Sequence, residues 1–481
     1  MRHSQSKLPF ARTNPAAARL GRPFLIRCAA FALSAVVALV VPRESIAQPT
    51  KTERPNVIVI LTDDQGSVDV NCYGATDLIT PRLNELASGG IRFTQFYSAA
   101  PVCSPSRAAL LTGRYPQRAQ LANNAASQPG GAGMPTEQVT LGEMFRAAGY
   151  ATGHVGKWHL GYTENQMPLG QGFDESFGHM GGCIDNYSHF FYWSGPNRHD
   201  LWRNGREVWE DGVYFPDLMV REANRFLEAN REKPFFLYLA MNTPHYPLQG
   251  TEHWRKQYEH LDSPRRMYAA FVSTTDERVG QVLDKLDELK LAERTIVVYQ
   301  SDHGHSTEER TFGGGGNAGP YRGAKFSLFE GGIRVPAMIR WPGHLPHGVE
   351  RRQLATAVDW MPTLAELCNI PLPQRRIDGA SLVSVCRSAD EPTPHHEFHW
   401  QSGRGVGNRP QWAVRRGAWK LIGHPNDTSQ KAPLTDADQR FLVNLDEDVS
   451  ELKNLAAEHP AVVAELEQLH NAWLADVEKQ E

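Results

Sequence analysis

The chain has 481 residues, 41% hydrophobic and 22% charged, the balance of a globular protein long enough to bury a large core. Its formal net charge of −4 gives no sign of a nucleic-acid partner. Six cysteines in this length exclude a disulfide-dense scaffold, and no Cys or His spacing reads as a zinc site.

Residues 1–47 read as a signal peptide. Arg2, Lys7, Arg12, Arg19, Arg22 and Arg27 form a basic n-region, Ala29 to Val41 an apolar stretch too short to span a membrane comfortably, and Ser45-Ile46-Ala47 a small-x-small cleavage site. The expectation is an exported protein, periplasmic or secreted, with no stable membrane partner; the length of the n-region leaves an uncleaved anchor as the alternative. Export permits disulfides, and Cys368 with Cys386 is the pair favoured by separation.

Beyond the leader, residues 56–61 form a continuous β-branched run, the pattern of a strand buried on both faces. Asp63-Asp64 follows its C-terminal end. Thr80, Pro81 and Gly89 frame a helix. A strand from Ile91 to Tyr97 leads to Cys103-Ser104-Pro105-Ser106-Arg107, where Ser104 reads as an N-cap, Pro105 as the first helical position and Thr112-Gly113 as the stop. That places Cys103 at the mouth of a short helix whose free N–H groups favour an anion, with Arg107 one turn in to add a fork.

Thr140 to Glu143 is a capping-box start, residues 150–155 a strand, and Lys157-Trp158-His159 follows it. A helix over 217–230 precedes a buried strand at 234–240 and then His245. A long helix over 263–291 precedes a strand at 295–299 and then Asp302-His303. Strands alternate with helices, which predicts an α/β fold with a mainly parallel sheet. Each polar cluster lies just after a strand, so five distant segments converge on one sheet edge. Residues 412–415 and 418–421 read as a hairpin and 460–477 as a helix, a small C-terminal antiparallel-sheet domain. The expected boundaries are 52–385 for the main domain and 386–481 for the C-terminal one.

Asp63-Asp64 and Asp302-His303 bring like charges to one edge, which calls for a cation, and oxygen donors suit Ca²⁺ or Mg²⁺. Cys-x-Pro-Ser-Arg followed by Ala-x-Leu-Leu-Thr-Gly-Arg resembles the signature of the type I sulfatases, and residues 149–159 resemble that family's second signature. The resemblance, covering about residues 54–455, implies an alkaline-phosphatase-like α/β fold and hydrolysis of sulfate monoesters. It further implies that Cys103 is oxidised to formylglycine by a formylglycine-generating enzyme, its hydrated aldehyde being the nucleophile. One Ca²⁺ is then implied at Asp63, Asp64, Asp302, His303 and the modified Cys103. By the same resemblance Arg107 belongs to the catalytic set, Lys157 and Lys325 contact sulfate, His159 is a base, and His245 stands near the leaving oxygen. The implied substrate is a sulfated carbohydrate or an aryl sulfate. A phosphatase or phosphonate hydrolase on the same scaffold is the rival reading, which Cys103, Pro105 and Arg107 disfavour. The aromatic stretch 184–193 reads either as a packed loop or as a rim that stacks on sugar rings.

Overall fold

The computed structural model describes residues 54–403 and 409–479. The leader, with its cleavage site and Cys28, lies outside the described residues. Among the described residues no helix is long and apolar enough to cross a membrane.

Eight strands build most of a ten-stranded sheet: β1 (Asn56–Thr62), β2 (Ile91–Phe93), β3 (Ala151–Lys157), β4 (Glu175–His179), β5 (Phe235–Ala240), β6 (Thr295–Ser301), β7 (Ala337–Arg340) and β8 (Val349–Arg351). Their order is β8-β2-β7-β6-β1-β5-β3-β4, continued by two short strands, Trp202–Arg203 and Arg206–Glu207. From β6 to β4 every pairing is parallel; β7 is antiparallel to both its neighbours.

The continuous apolar runs follow from a sheet covered on both faces. Val57, Val59 and Leu61 of β1 pack against α2 (Cys103–Thr112), α3 (Leu141–Ala147) and a further helix at Trp360–Leu367. Ile58 and Ile60 point the other way, onto α1 (Pro81–Ser88), α4 (Phe215–Ala229) and α5 (Arg265–Glu288). The period of two sends alternate residues to opposite layers, and each fully buried Val or Ile contributes roughly 1.5–3 kcal/mol.

Four antiparallel strands, β9 (Glu397–Ser402), β10 (Gln411–Arg416), β11 (Trp419–Gly423) and β12 (Arg440–Asn444), form a second sheet in sequential order. Phe398, Trp400, Ile422 and Val443 share a core with Tyr97, Ala109 and Phe329 of the α/β body. Val414, Leu421 and Leu442 face away and are covered by Leu466 of the helix Pro460–Val477. A four-stranded sheet exposing one apolar face would not stand alone; the helix supplies the missing layer.

Three local expectations are corrected. The strand from Ile91 to Tyr97 is broken: β2 ends at Phe93, and Phe96–Tyr97 pairs with a different strand, Ala355–Thr356. Cys368 and Cys386 are both free, buried thiols within the same apolar cluster, where burial pushes each up to about 12. Ser104 is not the N-cap of α2; that position is Val102, in extended conformation, and Cys103 is the first helical residue.

Candidate active site

Parallel register explains why the polar doublets meet. Leu61 pairs with Ala240, Thr62 with Ser301, and Ala240 with Gly156, so β1, β5, β6 and β3 end level with one another. The ladder then runs one step past the strands: Asp302 N–H donates to Thr62 O at 2.9 Å, and Asp63 N–H to Thr243 O at 3.1 Å. Asp63 and Asp302 therefore leave the sheet side by side, with Asp64 held in a left-handed backbone conformation at φ 61°. A non-glycine residue there costs on the order of 1–3 kcal/mol and marks a site whose geometry is imposed by its surroundings.

The helix carrying Cys103 is stitched onto that edge by its own side chains. Ser104 Oγ donates to His159 O at 2.6 Å and accepts from Ala125 N–H at 3.0 Å. Ser106 Oγ donates to Asp302 O. These bonds account for the missing Ser104 cap: its hydroxyl is already committed. The helix terminus also offers an anion less than the sequence implies. Ser104 N–H donates to Asn124 Oδ1 at 3.0 Å, and Pro105 has no N–H to offer. The positive charge of the site comes from side chains.

Every residue singled out in the sequence arrives here. Cys103 Sγ lies 3.3 Å from His303 Nε2 and 3.8 Å from Asp63 Oδ1. Lys157 Nζ donates to Asp63 Oδ2 at 2.6 Å, and Arg107 bridges Asp302 Oδ2 at 3.0 Å and Asp63 Oδ1 at 3.4 Å. Lys325 Nζ donates to Asp64 Oδ2 at 3.0 Å and stands 3.3 Å from His245 Nε2. His245 Nδ1 faces Tyr246 O at 2.9 Å; a carbonyl only accepts, so Nδ1 carries the proton and Nε2 is the lone pair turned to Lys325. His159 also has a left-handed backbone, φ 56°, and its Nε2 is 3.4 Å from Ser127 Oγ.

The electrostatics follow from burial opposed by close countercharge. Burial pushes the Cys103 thiol up, but Lys157, Lys325 and His303 outweigh it and hold it well below the usual thiol range. Burial likewise opposes Asp63, yet Lys157 wins and keeps it ionised. Asp302 is pushed up, chiefly by burial and also by Asp63, a sign of carboxylates crowded beyond their cationic partners. Burial and Lys157 hold His159 down to about 4, so it is a neutral imidazole able to accept a proton.

Cys103, His159, His245 and Lys325 line a cavity of about 180 Å³, together with Ser127, Gly182, Phe191, Ser194, Tyr246, Glu308 and Arg310. Lys157 and Arg107 sit behind it, fully buried on Asp63. The sequence left Ser127, Glu308 and Arg310 unmarked. Ser127 and Glu308 lie in loops and Arg310 in the short 3-10 turn Glu309–Thr311, without a periodic or motif signal, and they reach the cavity only through the fold. A larger cleft of about 530 Å³, bounded by Gln95, Arg352 and Arg415, contains none of the converging residues.

Residues 55–370 match the family model described as Sulfatase, and residues 323–479 match that of the N-sulphoglucosamine sulphohydrolase C-terminal region. The chain belongs to the sulfatase family. This sulfatase is 33% identical to human arylsulfatase A over 458 residues, 86% of this chain and 87% of that one. It is 35% identical to human N-acetylgalactosamine-6-sulfatase over 345 residues, 68% of this chain and 65% of that one. Its fold superposes on the crystal structure of Ps i-CgsB in complex with k-i-k-neocarrahexaose with a TM-score of 0.78, at 30% identity, covering 88% of this chain and 93% of that one. The mainly parallel helix-covered sheet with a small antiparallel sheet beside it is the sulfatase architecture, and the enzyme hydrolyses sulfate esters.

Proposed function

We propose that this sulfatase is exported and removes sulfate from a sulfated carbohydrate, using Cys103 matured to formylglycine and one Ca²⁺. The observation that supports it is the convergence of one buried cysteine with two lysines, an arginine, three histidines and three carboxylates at and behind the bottom of one small cavity.

The donor set fits a hard divalent ion. Asp63, Cys103, Asp302 and His303 offer ligand atoms within 4.8 Å of one another, as do Asp63, Asp64, Cys103 and His245. Asp64 Oδ1 is buried, 2.9 Å from Lys325 Nζ and 3.5 Å from His303 Nε2. Asp63, Asp64, Asp302 and His303 would hold the ion, with the modified Cys103. Bound there, calcium supplies positive charge for the sulfate oxygens.

Formylglycine, when formed at Cys103, supplies a hydrated aldehyde whose one hydroxyl attacks sulfur and whose other allows the enzyme to release sulfate without a second nucleophile. The chain's residues do the rest. Lys325 and the Arg107–Lys157 pair set a positive potential around the three sulfate oxygens before substrate arrives, where charge is worth most because water is excluded. His245 Nε2 and Lys325 Nζ face the cavity together, so a proton shared between them reaches the departing alcohol. His159, neutral and tied to the Cys103 helix through Ser104, accepts the hydroxyl proton at its ring nitrogen.

The rim supports a sugar substrate. Phe191 and Tyr246 line the cavity, and Ser127, Ser194, Glu308 and Arg310 offer hydrogen bonds to hydroxyls. The test is sulfate release from sulfated mono- and oligosaccharides by protein whose Cys103 peptide has been weighed. Turnover of a sulfated sugar by protein carrying formylglycine supports the reading. Activity confined to phosphate or phosphonate esters, or full activity with an unmodified thiol, overturns it.

A further inference from the structure

Apart from the Cys103 site, the described residues bring together a second group of metal-capable side chains: His189, His199 and Asp211. One ring nitrogen of each histidine and one carboxylate oxygen of Asp211 lie within 4.8 Å of one another. His199 belongs to a short strand, Arg198–His199, that pairs with Phe190–Phe191, so the two imidazoles flank one hairpin.

Both imidazoles are buried, and each has one nitrogen in use. His189 Nε2 faces Val213 O at 3.0 Å; since a carbonyl only accepts, the proton is on Nε2 and Nδ1 is a lone pair. His199 Nδ1 faces Glu207 Oε1 at 3.0 Å, so Nδ1 carries the proton and Nε2 is the lone pair. The two nitrogens left over, His189 Nδ1 and His199 Nε2, are buried and make no hydrogen bond. Both nitrogens are thus free to bind, on the two histidines that come together with the Asp211 carboxylate.

The arrangement matches what a metal requires of histidine. A ligating imidazole almost always donates its second N–H to a backbone carbonyl or a carboxylate, which fixes the tautomer and turns the other lone pair to the ion. His189 uses a carbonyl and His199 a carboxylate. Trp209 stacks on His199 with ring centroids 3.8 Å apart and planes 8° from parallel, which holds that ring in place. Burial keeps His189 in the neutral form. Asp211 is exposed and sits in a turn, so its side chain can swing to close the roughly 3.3 Å donor spacing of a tetrahedral ion.

We propose that His189, His199 and Asp211 bind one Zn²⁺, separate from the oxygen-rich site at Cys103. Two imidazole nitrogens and one carboxylate oxygen make a three-ligand zinc set, with water as the fourth donor. The ion ties the hairpin to the loop that follows it. Phe191 and Ser194, between the two histidines in sequence, line the cavity at Cys103, so the zinc pins one wall of that cavity. The inference does not depend on the sulfate-ester chemistry, because metal content is read without turnover.

The test uses full-length protein stripped of transition metals, saturated with Ca²⁺ and titrated with Co²⁺ as a coloured stand-in for zinc. One equivalent should bind with the intense visible bands of tetrahedral Co²⁺, and Zn²⁺ should bleach them. His189→Gln and His199→Gln should lose the bands, Glu207→Gln should weaken binding roughly 10- to 100-fold, and Asp302→Asn should keep them. Absence of a stoichiometric tetrahedral band overturns the proposal. So does a band that vanishes in Asp302→Asn and survives in His199→Gln. Should the histidine variants fail to fold, Asp211→Asn decides: a surface change that leaves Co²⁺ affinity unaltered overturns the site, and a loss of at least tenfold upholds it.

Discussion

His245 and Lys325 stand 3.3 Å apart over the same cavity, and their division of labour can be measured. The perturbation is His245→Ala. General acid catalysis is worth roughly a hundred- to ten-thousand-fold, or about 3–5 kcal/mol of barrier at 1.36 kcal/mol per decade. Lys325 Nζ remains within reach of the departing oxygen and can still donate, so the loss should fall in the lower half of that range. A sulfated sugar, whose alcohol is a poor leaving group, should lose about 10²–10³ in kcat. A nitrophenyl sulfate, whose phenolate departs unaided, should lose less than about tenfold. Lys325→Met should instead slow both substrates alike, because that ammonium also holds sulfate charge whatever the alcohol. The assay is kcat and KM across esters of graded leaving-group pKa, on preparations matched by mass spectrometry for modification of Cys103. A steeper leaving-group dependence in His245→Ala than in wild type is the expected result. Equal losses on sugar and aryl sulfates would refute the assignment of His245 to the leaving group.

Cys103→Ser should abolish turnover of sulfate esters to below about one part in 10³, since a serine ester has no second hydroxyl to expel sulfate, and steady-state rates with intact-mass analysis check it. Asp302→Asn should drop bound calcium from one equivalent towards none and remove most activity; atomic emission on dialysed protein reads the first. Lys420→Met should destabilise the fold by about 3–5 kcal/mol, because it strands Glu330 and Glu451, each within 3.0 Å of the buried ammonium; denaturant unfolding measures it. Burial pushes Glu451 up to about 7 despite Lys420, so its contribution is present below about pH 4.5 and is lost as pH rises through about 7. Lys420→Met should make that decline with pH steeper.

Much of this molecule was legible because its signals are local. The apolar runs at 56–61 and 234–240 are strands buried on both faces, and the Thr140–Glu143 box caps its helix with both reciprocal bonds. The residues after each strand end could be placed on one edge because a parallel sheet leaves no choice about which edge that is. What failed was anything decided by a distant partner. Nothing near Ser104 in sequence says that its hydroxyl will be claimed by His159 O, 55 residues away, so capping statistics favoured the wrong position. Ser127 and Glu308 are polar residues in loops, and only the fold makes one a neighbour of His159 and the other of Lys325 at 3.5 Å.

Lys420 shows the same limit in the core. In the sequence it is one residue of a hairpin, and a lysine there would ordinarily keep its ammonium in water. In the fold it is fully buried, because Glu330 and Glu451 arrive from 90 and 31 residues away to receive it. Tyr97 O–H and Arg334 donate to the same Glu330 carboxylate, and Glu330 opens the short helix Glu330–Ile333, five residues beyond Lys325. The C-terminal sheet is thus tied to the cavity wall through one charge network rather than through apolar packing alone. A buried charge without its partners would be ruinous, so the network forms only when both parts are docked in one register. That gives the small sheet, whose described residues add no side chain to the cavity at Cys103, a physical reason to matter for the position of Lys325.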